Sequence, residues 1–68
     1  MEPHTYKKIE ITGTSGKSLE DAIENAIDKA SQTVEDMRWF EVTETRGSIE
    51  NGTVAEWQVG LKIGFTLK

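Results

Sequence analysis

The chain has no cysteine and only one histidine among its 68 residues. The lack of cysteine excludes disulfides and thiolate metal sites. The histidine, His4, lies in the N-terminal tail, where we expect a solvated side chain rather than a metal ligand. A domain this short buries only about 60% of its unfolded surface, so it usually needs disulfides, a metal or association with its own copies. Of these three, association with its own copies is the means of stabilisation that remains. We therefore predict a single domain, residues 1–68, that forms a homo-oligomer.

Clusters of basic residues and long apolar runs are also missing. The eight Lys and Arg residues are scattered, and the formal net charge is −4. No nucleic-acid partner is expected, because phosphate backbones attract clustered positive charge. No apolar run approaches the roughly 18 residues that span a bilayer, and the segment Met1-Glu2-Pro3-His4 does not resemble a signal peptide. We therefore expect a cytoplasmic protein with no membrane partner.

The first half of the chain predicts a strand followed by a helix. Apolar and polar residues alternate from Tyr6 to Thr12, which is typical of a half-buried strand, and the segment 13–16 should end it. Ser18 is a good N-cap, and Asp21 stands at the capping-box position. One apolar stripe then predicts a helix of about 18 residues with one buried face. This stripe consists of Leu19, Ala22, Ile23, Ala26, Ile27, Ala30, Val34 and Met37.

The second half predicts a β-hairpin. Two alternating segments, 38–46 and 54–67, flank Asn51-Gly52, a strong short-range hairpin signal. Pairing around this turn places two residues opposite each other when their numbers sum to about 103. A strand of 14 residues is about 46 Å long and outreaches a helix of about 27 Å. The predicted fold is α+β in the order β-α-β-β, with strands that curl around the helix and extend beyond it to meet other chains.

The hairpin face away from the predicted core contains residues that packing alone does not explain. The register places Trp39 opposite Gly64 and Thr43 opposite Gly60, and a glycine inside a strand often marks a close approach. Trp39 has two interpretations: an anchor in a subunit interface, or a platform on which a flat aromatic ligand stacks. The predicted members of this face are Trp39, Glu41, Thr43, Thr45, Gln58, Gly60, Lys62 and Gly64.

Gln58 lies on the same face and offers an amide that suits the polar edge of a flavin or pterin ring. It is six residue pairs from Trp39, about 20 Å at normal strand rise. One ring cannot contact both side chains within one chain. If both bind the same ring, they come from different subunits.

Several segments together resemble the dodecin family over nearly the whole chain. The resemblance implies a β-α-β-β subunit whose three-stranded antiparallel sheet wraps around its helix, with twelve copies forming a hollow shell. It also implies that riboflavin or FMN binds in stacked pairs between symmetry-related tryptophans. The matching segments are Tyr6 to Ser15, Glu20-Asp21-Ala22-Ile23 with Ala26, Arg38-Trp39-Phe40-Glu41-Val42, Arg46-Gly47, and Trp57-Gln58-Val59 to Gly64-Phe65.

The resemblance also assigns ligand contacts. Trp39 matches the stacking tryptophan, Gln58 the glutamine that hydrogen-bonds the ring, and Arg46 an arginine that would favour the phosphate of FMN. Arg46 could equally be the surface ion-pair partner of Glu44, and both residues are candidates for the flavin site. Some bacterial members are associated with coenzyme A, for which Lys7, Lys29 and Arg46 are candidate contacts. Thr66 departs from the arginine that close relatives often have, which removes one expected anion contact.

The resemblance thus predicts a flavin storage protein in which the indole quenches excited flavin, and not an enzyme. Two alternatives remain open from the residues. The chain could carry coenzyme A or a nucleotide without flavin. It could also be an interaction module that binds a protein partner through Trp39 and its sheet edges. No metal site is predicted.

Overall fold

In the computed structural model, which describes residues 3–68, the chain forms a three-stranded sheet and one helix. The elements are β1 (Tyr6–Ser15), α1 (Leu19–Ala30), β2 (Met37–Glu50) and β3 (Thr53–Thr66). The strand order is β1-β3-β2, and both pairings are antiparallel. The predicted α+β fold with β-α-β-β order is confirmed. Within the described residues, no helix is both long and apolar enough to cross a membrane.

The helix begins as predicted but ends earlier. The Ser18 hydroxyl accepts a hydrogen bond from the backbone N–H of Asp21 at 3.0 Å, which satisfies one of the free donors of the first turn. The helix ends at Ala30, after 12 residues. The prediction of about 18 residues was wrong: Val34 follows the helix, and Met37 begins β2. The chain must turn back toward the sheet here, and Asp36 adopts a left-handed φ of 59° within this connection, a conformation that Asp tolerates.

The core lies between α1 and the centre of β3. Ala22 and Ala26 are buried against Val59, Leu61 and Ile63. The two alanines allow the helix to approach the sheet closely, because their side chains are short. The apolar stripe of the helix was therefore identified correctly over the residues that are helical.

Gly13 lies within β1 and does not end it. The strand continues to Ser15, so the prediction that the segment 13–16 breaks the strand was wrong for its first three residues. A Cβ atom at Gly13 would overlap the carbonyl oxygen of Ala22 and lie 2.7 Å from the Cβ of Ala26. Gly13 is therefore the place where the backbone of β1 meets the helix.

The hairpin turn is at Asn51-Gly52 as predicted, with positive φ values of 51° and 77°. Next to Trp39 the register also agrees: Trp39 pairs with Gly64, and Phe40 with Ile63. A β-bulge follows Val42, so Gly60 pairs with Glu44 and Val59 with Thr45. The predicted pairing of Thr43 with Gly60 was wrong, and so was the placement of Thr45 away from the core. A bulge adds one residue to one strand and thereby shifts the alternation beyond it, here as far as a second register shift between Ser48 and Ile49.

The long hairpin extends beyond the helix and leaves apolar side chains uncovered. β2 and β3 have 14 residues each, against 12 in α1, and each strand residue advances about twice as far as a helical residue. Ile49 is 75% exposed, and Phe40, Val42, Val54 and Leu67 are each exposed by about half. Ile49 and Val54, next to the turn, form the overhang that the length comparison predicted, whereas Phe40 and Val42 lie opposite core residues and are uncovered because β2 is an edge strand.

Candidate functional site

The sheet face turned away from α1, here called the open face, has Trp39 at one end. Its indole covers Gly64, the residue opposite it on β3. A Cβ atom at Gly64 would be about equally close to three consecutive atoms of the benzo ring, Cε2, Cζ2 and Cη2. An atom in that position stands above the ring plane and not beside its edge. One face of the indole therefore lies on the glycine, and the other face is directed away from the sheet.

The indole is partly exposed and has one aromatic neighbour. Trp39 is 38% exposed, and its ring centroid lies 5.1 Å from that of Tyr6, with the planes at 72°. This is an edge-to-face arrangement within the usual range for aromatic pairs. The prediction that Trp39 is turned away from its own helix is confirmed by this placement.

The bulge after Val42 brings Glu44 and Arg46, two predicted site residues, to the open face. Thr43 and Glu44 both lie over Gly60, where a Cβ atom would be 2.9 Å from Thr43 Oγ1 and 3.5 Å from Glu44 Cβ. Beyond the bulge, Arg46 pairs with Gln58, so both side chains extend from the open face. Uninterrupted alternation would have placed Arg46 on the helix side. The bulge therefore joins Arg46 and Glu44 to Gln58.

Arg46 and Gln58 form a hydrogen-bonded cluster with two glutamates. Arg46 Nε donates to Gln58 Oε1 at 2.6 Å, and Gln58 Nε2 donates to Glu56 Oε1 at 3.0 Å. Arg46 Nη1 lies 3.3 Å from Glu44 Oε1. An amide has two acceptor lone pairs and two N–H donors, so Gln58 retains one of each for a ligand. The cluster fixes the amide orientation while leaving it able to bind.

Charged side chains occupy the open face between Trp39 and this cluster. Lys8 Nζ donates to Glu41 Oε1 at 2.6 Å, from one edge strand to the other. This hydrogen bond, followed by the attraction of the Lys8 charge, lowers the pKa of Glu41 below its ordinary value. Thr43 Oγ1 donates to Glu10 Oε2 at 3.3 Å. Trp39 and Gln58 thus lie apart within one chain, as predicted, with a polar band between them.

The candidate coenzyme A contacts are not gathered in one chain. Lys7 pairs with Phe65, on the helix side of the sheet, whereas Arg46 is on the open face. Lys29, in the last turn of α1, borders a groove between the helix and β1. A ligand that contacts Arg46 together with either lysine would have to lie between copies of the chain. Among residues 3–68, no group of three His, Asp or Glu side chains is arranged to hold a metal ion.

Two residues of this face were missed from the sequence. Glu56 is two residues from Gln58 in the same strand, so simple alternation could have placed it beside the amide. Tyr6 alternates with Lys8 in the predicted first strand and could have been placed on the open face in the same way. Its contact with Trp39 could not, because Tyr6 and Trp39 are on the two outer strands and only the strand order brings them together.

Comparison with known proteins gives one consistent result. The family model for dodecin matches residues 5–68. Dodecin of Thermus thermophilus is 48% identical over 63 residues, which are 93% of this chain and 91% of that protein. The structure of dodecin from Streptomyces coelicolor is similar with a TM-score of 0.95 and 53% identity, and the match covers 100% of this chain and 97% of the other. The calcium dodecin of Mycobacterium tuberculosis, solved with a calcium-binding site, is similar with a TM-score of 0.82 and 30% identity, over 94% of this chain and 91% of the other.

Proposed function

This chain belongs to the dodecin family of small, self-associating binding proteins, and on that premise we propose that it binds FMN or riboflavin and stores it with its excited state quenched. The proposal rests on one observation: the indole of Trp39 lies with one face on Gly64. This leaves one indole face directed away from the sheet, in a position to stack against a flat ring. Stacking of a flat heterocycle on an aromatic side chain is worth about 1–3 kcal/mol.

The other residues of the open face fit the polar parts of a flavin. The remaining donor and acceptor of Gln58 complement a ring edge that also carries both. Arg46 would attract the phosphate of FMN, for which its planar guanidinium is suited. Because Glu44 and Gln58 already engage Arg46, the phosphate would have to compete with them. We therefore propose FMN as the preferred ligand and riboflavin as the weaker one.

The site requires more than one copy of the chain. Trp39 and Gln58 are separated by the polar band, so a single ring can contact both only where two copies meet. Exposed apolar residues along the edge strand β2, among them Phe40, Val42 and Ile49, provide the surface for that association. The resemblance indicates a hollow assembly of twelve copies, and we propose that state. Sizing of the purified protein at micromolar concentration tests it, and a stable monomer would contradict it.

Quenching would follow from contact between the rings. The bound flavin supplies a ring that light excites to a strong electron acceptor. The indole of Trp39 is an electron donor in van der Waals contact with it, and return of the electron leaves both rings unchanged. The open face needs no acid, base or nucleophile for this role, and we propose binding and storage rather than catalysis.

A fluorescence titration with two matched tryptophan variants tests the proposal. The wild-type protein should bind FMN and riboflavin with loss of flavin fluorescence, and denaturation should restore it. Trp39→Ala should lose both binding and quenching, whereas Trp57→Phe should retain them, because Trp57 pairs with Ser15 and Gly47 on the helix side. Because one relative is named calcium dodecin, the titrations include the calcium chelator EGTA, so that calcium does not affect flavin binding. Equal affinity of Trp39→Ala and the wild-type protein for riboflavin would contradict the proposal.

Arg46 provides the test of ligand preference. Arg46→Met should weaken FMN binding by roughly 1.5–3 kcal/mol more than riboflavin binding, the strength of one charge-assisted hydrogen bond, because both ligands also lose the bond that orients Gln58. Equal affinity of the wild-type protein for FMN and riboflavin would remove this part of the proposal.

Coenzyme A is a second candidate ligand, favoured by the surroundings of Lys29. This lysine borders a groove lined by Ile9, Ile11 and Ala30, which pairs a positive charge with an apolar channel. Calorimetric titration with coenzyme A, compared between the wild-type protein and Lys29→Met, tests it. Absence of heat in the wild-type protein at two well-separated temperatures would exclude this ligand, because the heat of binding changes with temperature.

A further inference from the structure

Tyr6 is the aromatic neighbour of Trp39 on the open face, and the proposed function assigns it no role. The two rings meet edge to face, with centroids 5.1 Å apart and planes at 72°. Their contact spans the sheet: Tyr6 is on β1 opposite Thr66, and Trp39 is on β2 opposite Gly64, with β3 between them. A side chain at position 64 would occupy this space. The absence of one allows the indole to lie across β3 toward Tyr6.

Tyr6 opposes a motion of Trp39 that Gly64 does not prevent. Gly64 supports one face of the indole, but a flat support does not prevent the ring from sliding or turning outward about its side-chain bonds. Tyr6 stands at a steep angle to the indole plane and blocks motion toward β1. The 72° angle also means that a ligand parallel to the indole cannot be parallel to Tyr6. Tyr6 would therefore act on a stacked ligand through Trp39.

We propose that Tyr6 is a positioning residue that holds the free face of Trp39 in the orientation in which a flavin stacks on it and is quenched. This inference rests on the proposed flavin function. The contact depends on the aromatic ring, so phenylalanine should replace tyrosine and alanine should not. Tyr6 is 45% exposed and does not belong to the buried core, so both variants should fold.

The first experiment needs no flavin. Trp57→Phe leaves Trp39 as the only tryptophan of the chain, and time-resolved fluorescence anisotropy then reports the motion of this indole alone. Adding Tyr6→Ala should increase the amplitude of the fast component roughly twofold, as expected for a side chain freed on the nanosecond timescale. Adding Tyr6→Phe should leave it unchanged. Equal anisotropy decays in all three proteins would overturn the proposal.

The second experiment measures binding and quenching separately. Tyr6→Ala should weaken FMN binding roughly two- to tenfold, the effect of losing one aromatic pair, and bound FMN should retain more fluorescence than in the wild-type protein. Tyr6→Phe should restore both properties, and sizing should show the same assembly for all variants. Unchanged affinity and unchanged residual fluorescence in Tyr6→Ala would overturn the proposal.

The two experiments distinguish failure of this inference from failure of the proposed function. If the wild-type protein binds FMN and Tyr6→Ala behaves identically, the positioning role is wrong and the flavin function stands. If the wild-type protein binds no flavin, the proposed function and the ligand part of this inference are both wrong. The anisotropy comparison then still decides whether Tyr6 holds the indole.

Discussion

Replacing Gly64 by alanine should separate ligand binding from folding stability. The new Cβ would overlap the benzo ring of Trp39, so one of the two groups must move. The backbone of β3 is held by pairing on both sides, whereas the indole is 38% exposed and can swing outward. We therefore expect the indole to leave its seat and the sheet to remain intact.

Gly64→Ala should change the free energy of unfolding less than it changes the affinity for flavin. Alanine is favoured over glycine inside a strand by about 0.5–1 kcal/mol. Loss of the edge-to-face contact with Tyr6 costs about 0.5–1.5 kcal/mol, so the free energy of unfolding should change by less than about 1 kcal/mol. Loss of the stacking platform should remove about 1–3 kcal/mol of flavin binding, which corresponds to a roughly five- to 150-fold weaker Kd.

The assay combines flavin fluorescence titration with denaturant unfolding followed by circular dichroism. Gly16→Ala is the matched control, because a Cβ atom at Gly16 would meet nothing within 4 Å. That variant should bind flavin like the wild-type protein. If Gly64→Ala also binds FMN with wild-type affinity, flavin binding does not depend on the position that the indole of Trp39 takes on Gly64. The main argument for the flavin site would then fail.

Three further predictions concern the fold and the polar band. Lys8 lowers the pKa of Glu41. The stabilisation from this pair is therefore present above the ordinary carboxyl pKa and is lost as the pH falls through the lowered pKa of Glu41. An NMR titration should show a higher pKa for Glu41 in Lys8→Met than in the wild-type protein. Ser18→Ala should cost about 0.5–2 kcal/mol of unfolding free energy and Ser18→Asp much less, since Asp also caps helices; equal losses would contradict the capping role. Gly13→Ala should cost about 1–3 kcal/mol, as overpacked cores do, because the new Cβ would overlap helix backbone; a loss no larger than that of Gly16→Ala would contradict this close approach.

Local patterns in the sequence predicted most of the fold. The alternation in the strands, the Ser18 cap and the Asn51-Gly52 turn each depend on residues that are close in the chain. The register counted outward from the turn is also correct near Trp39, because the two register shifts between them, at Ser48/Ile49 and at Val42/Glu44, cancel. The end of the helix was not predictable, since Val34 continues the apolar stripe although the chain has already turned toward β2.

The sequence by itself determined that a tryptophan stands off the core face opposite a glycine, and that Gln58 is too far along the strand to share a ligand with it in one chain. Only the tertiary structure decided that Arg46 and Glu44 join Gln58, and that Tyr6 contacts Trp39. The first depends on a bulge, which arises from how two strands coil against each other and not from the residues of one strand. The second depends on strand order, which places residues from distant parts of the chain side by side across the sheet.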